Sequence, residues 1–262
     1  MGALRAATGG GTAVRYALID WDNTLHRGYT IYGLTDHLLK EGLAGEAILA
    51  EFERLRESYK AKEIAYAEYT IRTCEAFAAA LEGVPSVDYR ACVSTFVPAD
   101  EPFLFEDVIP VLELLHRYEI EIYLVSGAPA EVLRAYGERL GIKGIFAFEL
   151  EEREGRLTGR VECNYGAEKE RILRHPLFRA PGAIHAVSMG DAVADVPLLD
   201  NSLVPIIVGG GGLELRAGSA PLRFFDREWD LAGLERRLAG ALQDRTIVSF
   251  VNGKSSLHSR SD

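Results

Sequence analysis

Acidic side chains follow short apolar runs that are typical of buried strands. The runs that begin at Tyr16 and at Ala183 are each followed by two aspartates, namely Asp20, Asp22, Asp191 and Asp195. In an open parallel sheet, ligands bind outside the carboxyl ends of the strands, so these four side chains could converge. Four carboxylates repel one another unless a cation is present. Mg²⁺ suits them, because it takes a few hard oxygens and completes its shell with water and phosphate.

The elements that must carry these side chains alternate between strand and helix, which predicts an α/β fold with a Rossmann-like, open parallel sheet. Apolar runs mark the predicted strands at 16–20, 120–125, 145–150, 157–161, 183–189, 203–208 and 222–225. The polar turn between 150 and 157 makes a small hairpin of the third and fourth runs. We also expect a helix over 168–174 and a last helix over 229–242.

One stretch breaks this alternation. Apolar residues at helical spacing predict about three amphipathic helices across 31–82, and Pro85, Pro98 and Pro102 mark the exit from them. We interpret residues 29–99 as an inserted helical cap domain on an α/β catalytic core of residues 14–28 and 100–245. The end segments 1–13 and 247–262 are expected to be flexible.

These polar motifs, in this order, resemble those of the haloacid dehalogenase superfamily. The resemblance covers roughly residues 16 to 225, and the helical insertion between its first two motifs is similar to the cap of the phosphoserine-phosphatase-like branch. The four matching motifs are Asp20-x-Asp22-x-Thr24, Ser126, Lys169 in a G-x-x-K segment, and Gly190-Asp191-x-x-x-Asp195. Each motif is weak alone, and the ordered set is specific.

The resemblance implies a Mg²⁺-dependent phosphatase that acts on a small phosphorylated metabolite. Asp20 would attack phosphorus and form an aspartyl-phosphate. Asp22 would protonate the leaving alcohol and then take a proton from water. Lys169 would offset negative charge on Asp20 and on the phosphoryl group.

The same resemblance implies the remaining contacts of the site. Thr24, Ser126 and Gly127 would bind the substrate, with the Ser126 hydroxyl on a phosphoryl oxygen. Asp191 would ligate Mg²⁺ directly and Asp195 would orient its ligand shell. The predicted metal-binding set is completed by Asp20 and by the backbone carbonyl of Asp22.

Two other functions remain open from the sequence. A phosphotransferase would use the same intermediate with an acceptor other than water. A non-catalytic sensor of a phosphorylated ligand would keep the fold, although binding alone does not need a nucleophile beside an acid. A dehalogenase is disfavoured, because it would not need an acid at the position of Asp22.

The leaving group is not identified by the sequence. Phosphoserine phosphatases carry a carboxylate shortly after the first motif, and residues 26–35 contain none, which argues against phosphoserine. Five basic residues of the insertion could meet an anionic leaving group, but we interpret them as solvated helix faces: Arg54, Arg56, Lys60, Lys62 and Arg72. We attribute four aromatic residues to packing: Tyr59, Tyr66, Tyr69 and Phe77. His26 is expected in a solvated loop.

Composition excludes several classes of protein. The 262 residues carry a formal net charge of −10, which disfavours nucleic acid as a partner. No run approaches the ~18 apolar residues of a membrane span, so we expect no membrane partner. Three separated cysteines without a CxxC spacing favour a reducing, cytoplasmic location over a zinc or disulfide framework. The sequence assigns no oligomeric state.

Overall fold

The computed structural model describes residues 14–210, 212–224 and 229–255. Residues 1–13 and 256–262, which belong to the end segments expected to be flexible, lie outside the described residues. The last helix runs to Ser255, well beyond the residue 242 at which its apolar pattern ends.

The described residues form one seven-stranded sheet in the order β4-β3-β2-β1-β5-β6-β7. All neighbouring strands are parallel except the β3–β4 pair, which is antiparallel. The strands are β1 (Arg15–Ile19), β2 (Ile120–Pro129), β3 (Gly144–Arg153), β4 (Arg156–Cys163), β5 (Ile184–Gly190), β6 (Val204–Val208) and β7 (Leu222–Phe224). The predicted α/β class with an open, mostly parallel sheet is confirmed.

Helices join these strands and bury their apolar faces against the sheet and one another. The α-helices are α1 (Thr30–Lys40), α2 (Ala47–Lys60), α3 (Tyr66–Ala80), α4 (Ser86–Asp100), α5 (Val108–Arg117), α6 (Ala130–Gly137), α7 (Val196–Leu199) and α8 (Leu231–Ser255). The helix expected over 168–174 is a 3-10 helix, Lys169–Arg174.

The insertion between β1 and β2 holds α1, α2 and α3, where the spacing predicts them, and also α4, which the sequence analysis missed. The prolines around α4 misled the interpretation. Pro85 precedes the first residue of α4, a position that a helix tolerates, whereas Pro98 lies inside the last turn and cannot donate a backbone hydrogen bond. Tyr89, Val93 and Phe96 bury one face of α4, so tertiary packing stabilises it despite its prolines. The boundaries of a separate cap domain stay a prediction.

The predicted hairpin of β3 and β4 is present and longer than its apolar runs. It turns at Glu154 and Gly155, both of which have positive φ. The Gly83 N–H, just after α3, donates to the Leu157 carbonyl (2.8 Å), and the Leu157 N–H donates to the Val84 carbonyl (2.9 Å). The hairpin therefore ties the helical insertion to the sheet.

Across the described part of the chain, none of the helices combines the length and the apolar character that a bilayer span requires.

Candidate active site

The Lys169 ammonium lies at the centre of the site, between two buried carboxylates. Its Nζ atom is 2.6 Å from Asp20 Oδ1 and 2.7 Å from Asp195 Oδ1. Burial alone would lower the pKa of Lys169, but the charges of Asp195 and Asp20 outweigh it and raise that pKa above its ordinary value. Lys169 is therefore a fixed positive charge beside the residue predicted to be the nucleophile.

Asp20 owes its position to the sheet. It is the first residue after β1, and its backbone N–H donates to the Met189 carbonyl of the neighbouring strand β5 (3.0 Å). Because β1 and β5 are parallel, the residues that follow both strands emerge at the same edge. The aspartates predicted from two distant sequence segments therefore meet there.

The loop after β5 is closed by Asp195. Its Oδ2 atom accepts hydrogen bonds from the backbone N–H groups of Asp191 (3.2 Å) and Ala192 (3.0 Å). A Cβ atom at Gly190 would collide with the Asp195 side chain, so this close approach requires glycine. The contacts bring Asp191 and Asp195 to the same side of the loop.

The donor set fits a magnesium ion. Asp20, Asp191 and Asp195 each offer a carboxylate oxygen, and the three oxygens lie within 4.8 Å of one another. Burial, followed by the charges of Asp20 and Asp195, raises the pKa of Asp191 to about 7. A divalent cation would offset this repulsion, and hard carboxylate oxygens are the ligands that Mg²⁺ prefers. The Asp22 side chain is outside this group, and the role of its backbone carbonyl stays a prediction.

Asp22 lies beside the carboxylates in a different environment. Its Oδ1 atom accepts hydrogen bonds from the Thr30 hydroxyl (2.6 Å) and the Thr30 N–H (3.0 Å). Burial raises the pKa of Asp22 to about 6, against the lowering effect of these hydrogen bonds. The Trp21 indole N–H donates to the same Thr30 hydroxyl (2.9 Å), so this hydroxyl is held in place from behind. Such an environment suits a group that both gives and takes a proton.

The end of β2 forms one side of the pocket next to these carboxylates. Ser126 and Gly127 line the pocket, and their contact with substrate stays a prediction. The β2–β3 ladder is interrupted between Val125 and Pro129, which frees this segment from sheet pairing. A Cβ atom at Gly166 would lie 2.5 Å from the Gly127 Cα, so the two backbones touch. This contact places the segment that carries Lys169 against the end of β2.

Two residues near the first motif are not where the sequence analysis expects them. Thr24 is fully buried, does not line the pocket, and its hydroxyl has no hydrogen-bond partner among the described residues. Its contact with substrate stays a prediction. The expectation of a solvated His26 is wrong: the ring is 3% exposed and its Nε2 atom is 3.1 Å from Asp100 Oδ2. Stacking on Trp21 and a bridge to Leu104 bury it behind the site.

The pocket above these groups contains residues that the sequence analysis missed or assigned to packing. It encloses about 730 Å³ of empty space, a volume that includes the part open to solvent. The lining residues outside the predicted site are Tyr29, Ile31, Tyr32, Tyr66, Tyr69, Thr70, Thr73, Cys74, Asn164, Gly166, Ala192 and Ala194. Packing alone is therefore the wrong interpretation for Tyr66 and Tyr69. It is correct for Phe77, which is fully buried against Phe148.

Comparison with known proteins agrees with the family that the sequence motifs resemble. The family model for haloacid dehalogenase-like hydrolases matches residues 17–200. A Bordetella pertussis Tohama I protein of unknown function is 25% identical, with 75% of this chain and 91% of that chain covered and a TM-score of 0.62. No match was found among the curated proteins.

Two further solved structures share the fold. A phosphoserine phosphatase, solved as an analogue of its phospho-aspartyl intermediate, is 19% identical over 75% of this chain and 87% of that chain, with a TM-score of 0.54. Cytosolic 5′-nucleotidase IIIB bound to cytidine is 15% identical over 92% of this chain and 89% of that chain, with a TM-score of 0.62. The likeness in fold to a phosphoserine phosphatase agrees with the resemblance stated for the sequence. With its family model spanning most of the fold and all four motifs, the chain belongs to the haloacid dehalogenase-like hydrolases.

Proposed function

We propose that the protein is a Mg²⁺-dependent phosphatase that hydrolyses a small phosphate monoester through an aspartyl-phosphate on Asp20. The observation that carries the proposal is the Asp20 carboxylate, which lies 2.6 Å from the buried Lys169 ammonium and opens onto the pocket. A nucleophile that must approach a dianion needs such a fixed positive charge.

In the first step, a carboxylate oxygen of Asp20 forms a bond to phosphorus while the bond from phosphorus to the alcohol oxygen breaks. The leaving oxygen takes a proton from Asp22, whose raised pKa favours the protonated form needed for this transfer. The Thr30 hydrogen bonds reach only Oδ1 of Asp22, so Oδ2 is the oxygen that carries the proton. The alcohol leaves neutral.

In the second step, water attacks the phosphorus of the aspartyl-phosphate. Asp22, now ionised, takes the proton from that water, and the bond from phosphorus to the Asp20 oxygen breaks. Inorganic phosphate leaves, Asp20 is a carboxylate again and Asp22 is protonated again. Ser126 and Gly127 line the space for the phosphoryl oxygens.

Asp20 and Asp191 would hold the magnesium ion and Asp195 would orient the loop that carries Asp191; the ion would add positive charge that offsets the negative charge of the phosphoryl group. The Lys169 ammonium offsets the negative charges of Asp20 and Asp195. Its ion pair with Asp195 also orients the loop that carries Asp191. We include a cytoplasmic location and the absence of a nucleic-acid partner in this proposal, on the grounds of cysteine usage and charge.

The test is release of inorganic phosphate from a broad panel of phosphorylated metabolites, with and without Mg²⁺. We expect Asp20→Asn to reduce turnover by roughly 10³-fold or more, because no nucleophile remains. The matched control is Asp36→Asn, which makes the same change at an exposed site on α1 and should retain turnover.

The outcomes separate the alternative functions. Full turnover by Asp20→Asn would refute the assignment of the nucleophile. Phosphate that appears on an added alcohol rather than in solution would indicate a phosphotransferase. Saturable binding of a phosphorylated compound with no phosphate release or transfer in Mg²⁺ would indicate a sensor.

A further inference from the structure

Tyrosines form the wall of the pocket on the side of the helical insertion. They come from the start of α1 and the start of α3, and they are Tyr29, Tyr32, Tyr66 and Tyr69. The other lining residues from these two helices are uncharged: Ile31, Thr70, Thr73 and Cys74. A leaving group attached to a phosphate at Asp20 would face this wall.

The tyrosine wall is held in place by its own contacts. The hydroxyl groups of Tyr32 and Tyr69 share a hydrogen bond. Tyr59, behind the wall, stacks on Tyr69 with ring centroids 5.0 Å apart, and Phe52 packs edge-on against Tyr32 at 5.2 Å. Rings that are already ordered lose little conformational entropy when a ligand packs against them.

The wall carries no charge that would match a charged leaving group. Among the described residues that line the pocket, the acidic and basic side chains are those of the reaction site itself: Asp20, Asp22, Asp191 and Lys169. Burial raises the pKa of the Cys74 thiol to about 12, and burial also raises the pKa of the Tyr66 hydroxyl, so both stay neutral. An ammonium or a carboxylate placed here would be desolvated without a partner of opposite charge on the wall.

The basic residues of the insertion do not change this balance. Four of them pair with a glutamate one turn away on their own helix: Arg54, Arg56, Lys60 and Arg72. Their side chains are 37–58% exposed, and they do not line the pocket. Lys62 is exposed and also lies outside the lining. Their interpretation as solvated helix faces therefore agrees with the structure.

We propose that the leaving group of the substrate is an uncharged alcohol that bears an aromatic ring, which packs against Tyr66 and Tyr69. This inference rests on the proposed phosphatase activity and narrows its substrate class. It disfavours phosphorylated amino acids and phosphorylated carboxylic acids.

The test compares phosphate esters of primary alcohols, assayed with Mg²⁺ by phosphate release. Benzyl phosphate presents one uncharged ring, ethyl phosphate presents none, and O-phosphoserine presents two charges. We expect kcat/KM for benzyl phosphate to exceed that for ethyl phosphate by about 10-fold or more, and that for O-phosphoserine by about 100-fold. Cytidine 5′-monophosphate, assayed in parallel, tests whether the aromatic ring of the leaving group belongs to a nucleoside or to a simple aromatic alcohol.

Variants of the wall test whether the rings are responsible. We expect Tyr66→Ala and Tyr69→Ala to lower the ratio of kcat/KM for benzyl phosphate over ethyl phosphate by roughly 10-fold. Tyr66→Phe keeps the ring and should keep the ratio. Tyr118→Ala is the matched control, because Tyr118 precedes β2 at the opposite edge of the sheet and should also keep the ratio.

Each failure has a separate meaning. Phosphate release that favours O-phosphoserine, or that is equal for benzyl and ethyl phosphate, would overturn this inference and leave the phosphatase proposal standing. A ratio that is unchanged in Tyr66→Ala and Tyr69→Ala would overturn the role of the tyrosine wall. No release from any ester would overturn the phosphatase proposal and this inference with it.

Discussion

At the scale of single residues, the environment of Asp22 decides whether it can act as an acid and a base. Asp20 and Asp22 are two positions apart, yet only Asp20 contacts Lys169. Asp22 is held by Thr30, which is in turn held by the Trp21 indole. Two carboxyl groups on one loop thus have different partners, which suits the different tasks proposed for them.

The first prediction concerns Thr30→Val, which keeps the shape of the side chain and removes its hydroxyl. The Thr30 hydrogen bonds lower the pKa of Asp22, so loss of the hydroxyl should raise that pKa. Since the proposed first step requires protonated Asp22, the alkaline limb of kcat/KM should move to higher pH. We also expect kcat to fall about 10- to 100-fold because Asp22 is no longer held in place.

Thr30→Ser is the control for this change, since it retains the hydroxyl and should restore both kcat and the pH profile. A purely structural role for Thr30 would lower the melting temperature without moving the alkaline limb, and that result would contradict the prediction.

At the scale of elements, the site depends on contact between the end of β2 and the segment before Lys169. Gly127 and Gly166 touch through their backbones. The Gly166 N–H also donates to the Asn164 side-chain carbonyl (2.8 Å), which shapes the turn out of β4. The segments that carry Ser126 and Lys169 can therefore touch because neither Gly127 nor Gly166 has a side chain.

The second prediction concerns Gly166→Ala. The added Cβ would lie 2.5 Å from the Gly127 Cα, and backbone must move to make room. We expect a loss of about 1–3 kcal/mol in the free energy of unfolding, measured by urea denaturation. The phosphatase kcat should also fall, because the end of β2 and Lys169 move apart.

Gly45→Ala provides the comparison, because a Cβ there meets no atom within 4 Å. It should change the free energy of unfolding by less than about 0.5 kcal/mol. If Gly166→Ala were as stable and as active as Gly45→Ala, the contact between the two segments would not be needed.

At the scale of the whole molecule, the net charge of −10 is concentrated in part at one edge of the sheet. Asp20, Asp191 and Asp195 meet there with one lysine among them. An anionic substrate can enter such a site only if cations offset the carboxylates. Because these carboxylates meet only in the folded protein, a cation that binds them also stabilises the fold.

The third prediction is that the metal-free protein loses stability as the pH rises from about 4 to about 7. The pKa of Asp191 is raised from 3.8 to about 7 by burial and by the charges of Asp20 and Asp195. A carboxyl group with a higher pKa in the folded state binds its proton more tightly when folded, so stability falls as the proton leaves. Asp22, with a pKa of about 6, contributes in the same direction.

Melting temperatures between pH 4.5 and 8, with EDTA and with Mg²⁺, check this prediction. Mg²⁺ should raise the melting temperature more at pH 8 than at pH 5, because the metal replaces the lost protons. Asp191→Asn should flatten the pH dependence in EDTA and abolish most of the response to Mg²⁺. A metal-free protein that gains stability over this pH range would contradict it.

The sequence by itself predicted which polar side chains meet at one edge of the sheet. Asp20, Asp22, Ser126, Lys169, Asp191 and Asp195 are recognisable because strand ends are marked by local apolar runs and because parallel strands bring those ends to one edge. The α/β class, the hairpin and the first three helices of the insertion follow from the same local patterns.

Only the tertiary structure decided what surrounds that chemistry. Tyr66 lines the pocket whereas Phe77, on the same helix, packs in the core, and their spacing alone does not distinguish the two. His26 is buried and α4 forms despite its prolines because partners distant in the sequence cover them. Contacts of this kind depend on which faces meet after folding, and local patterns in a single sequence do not record them.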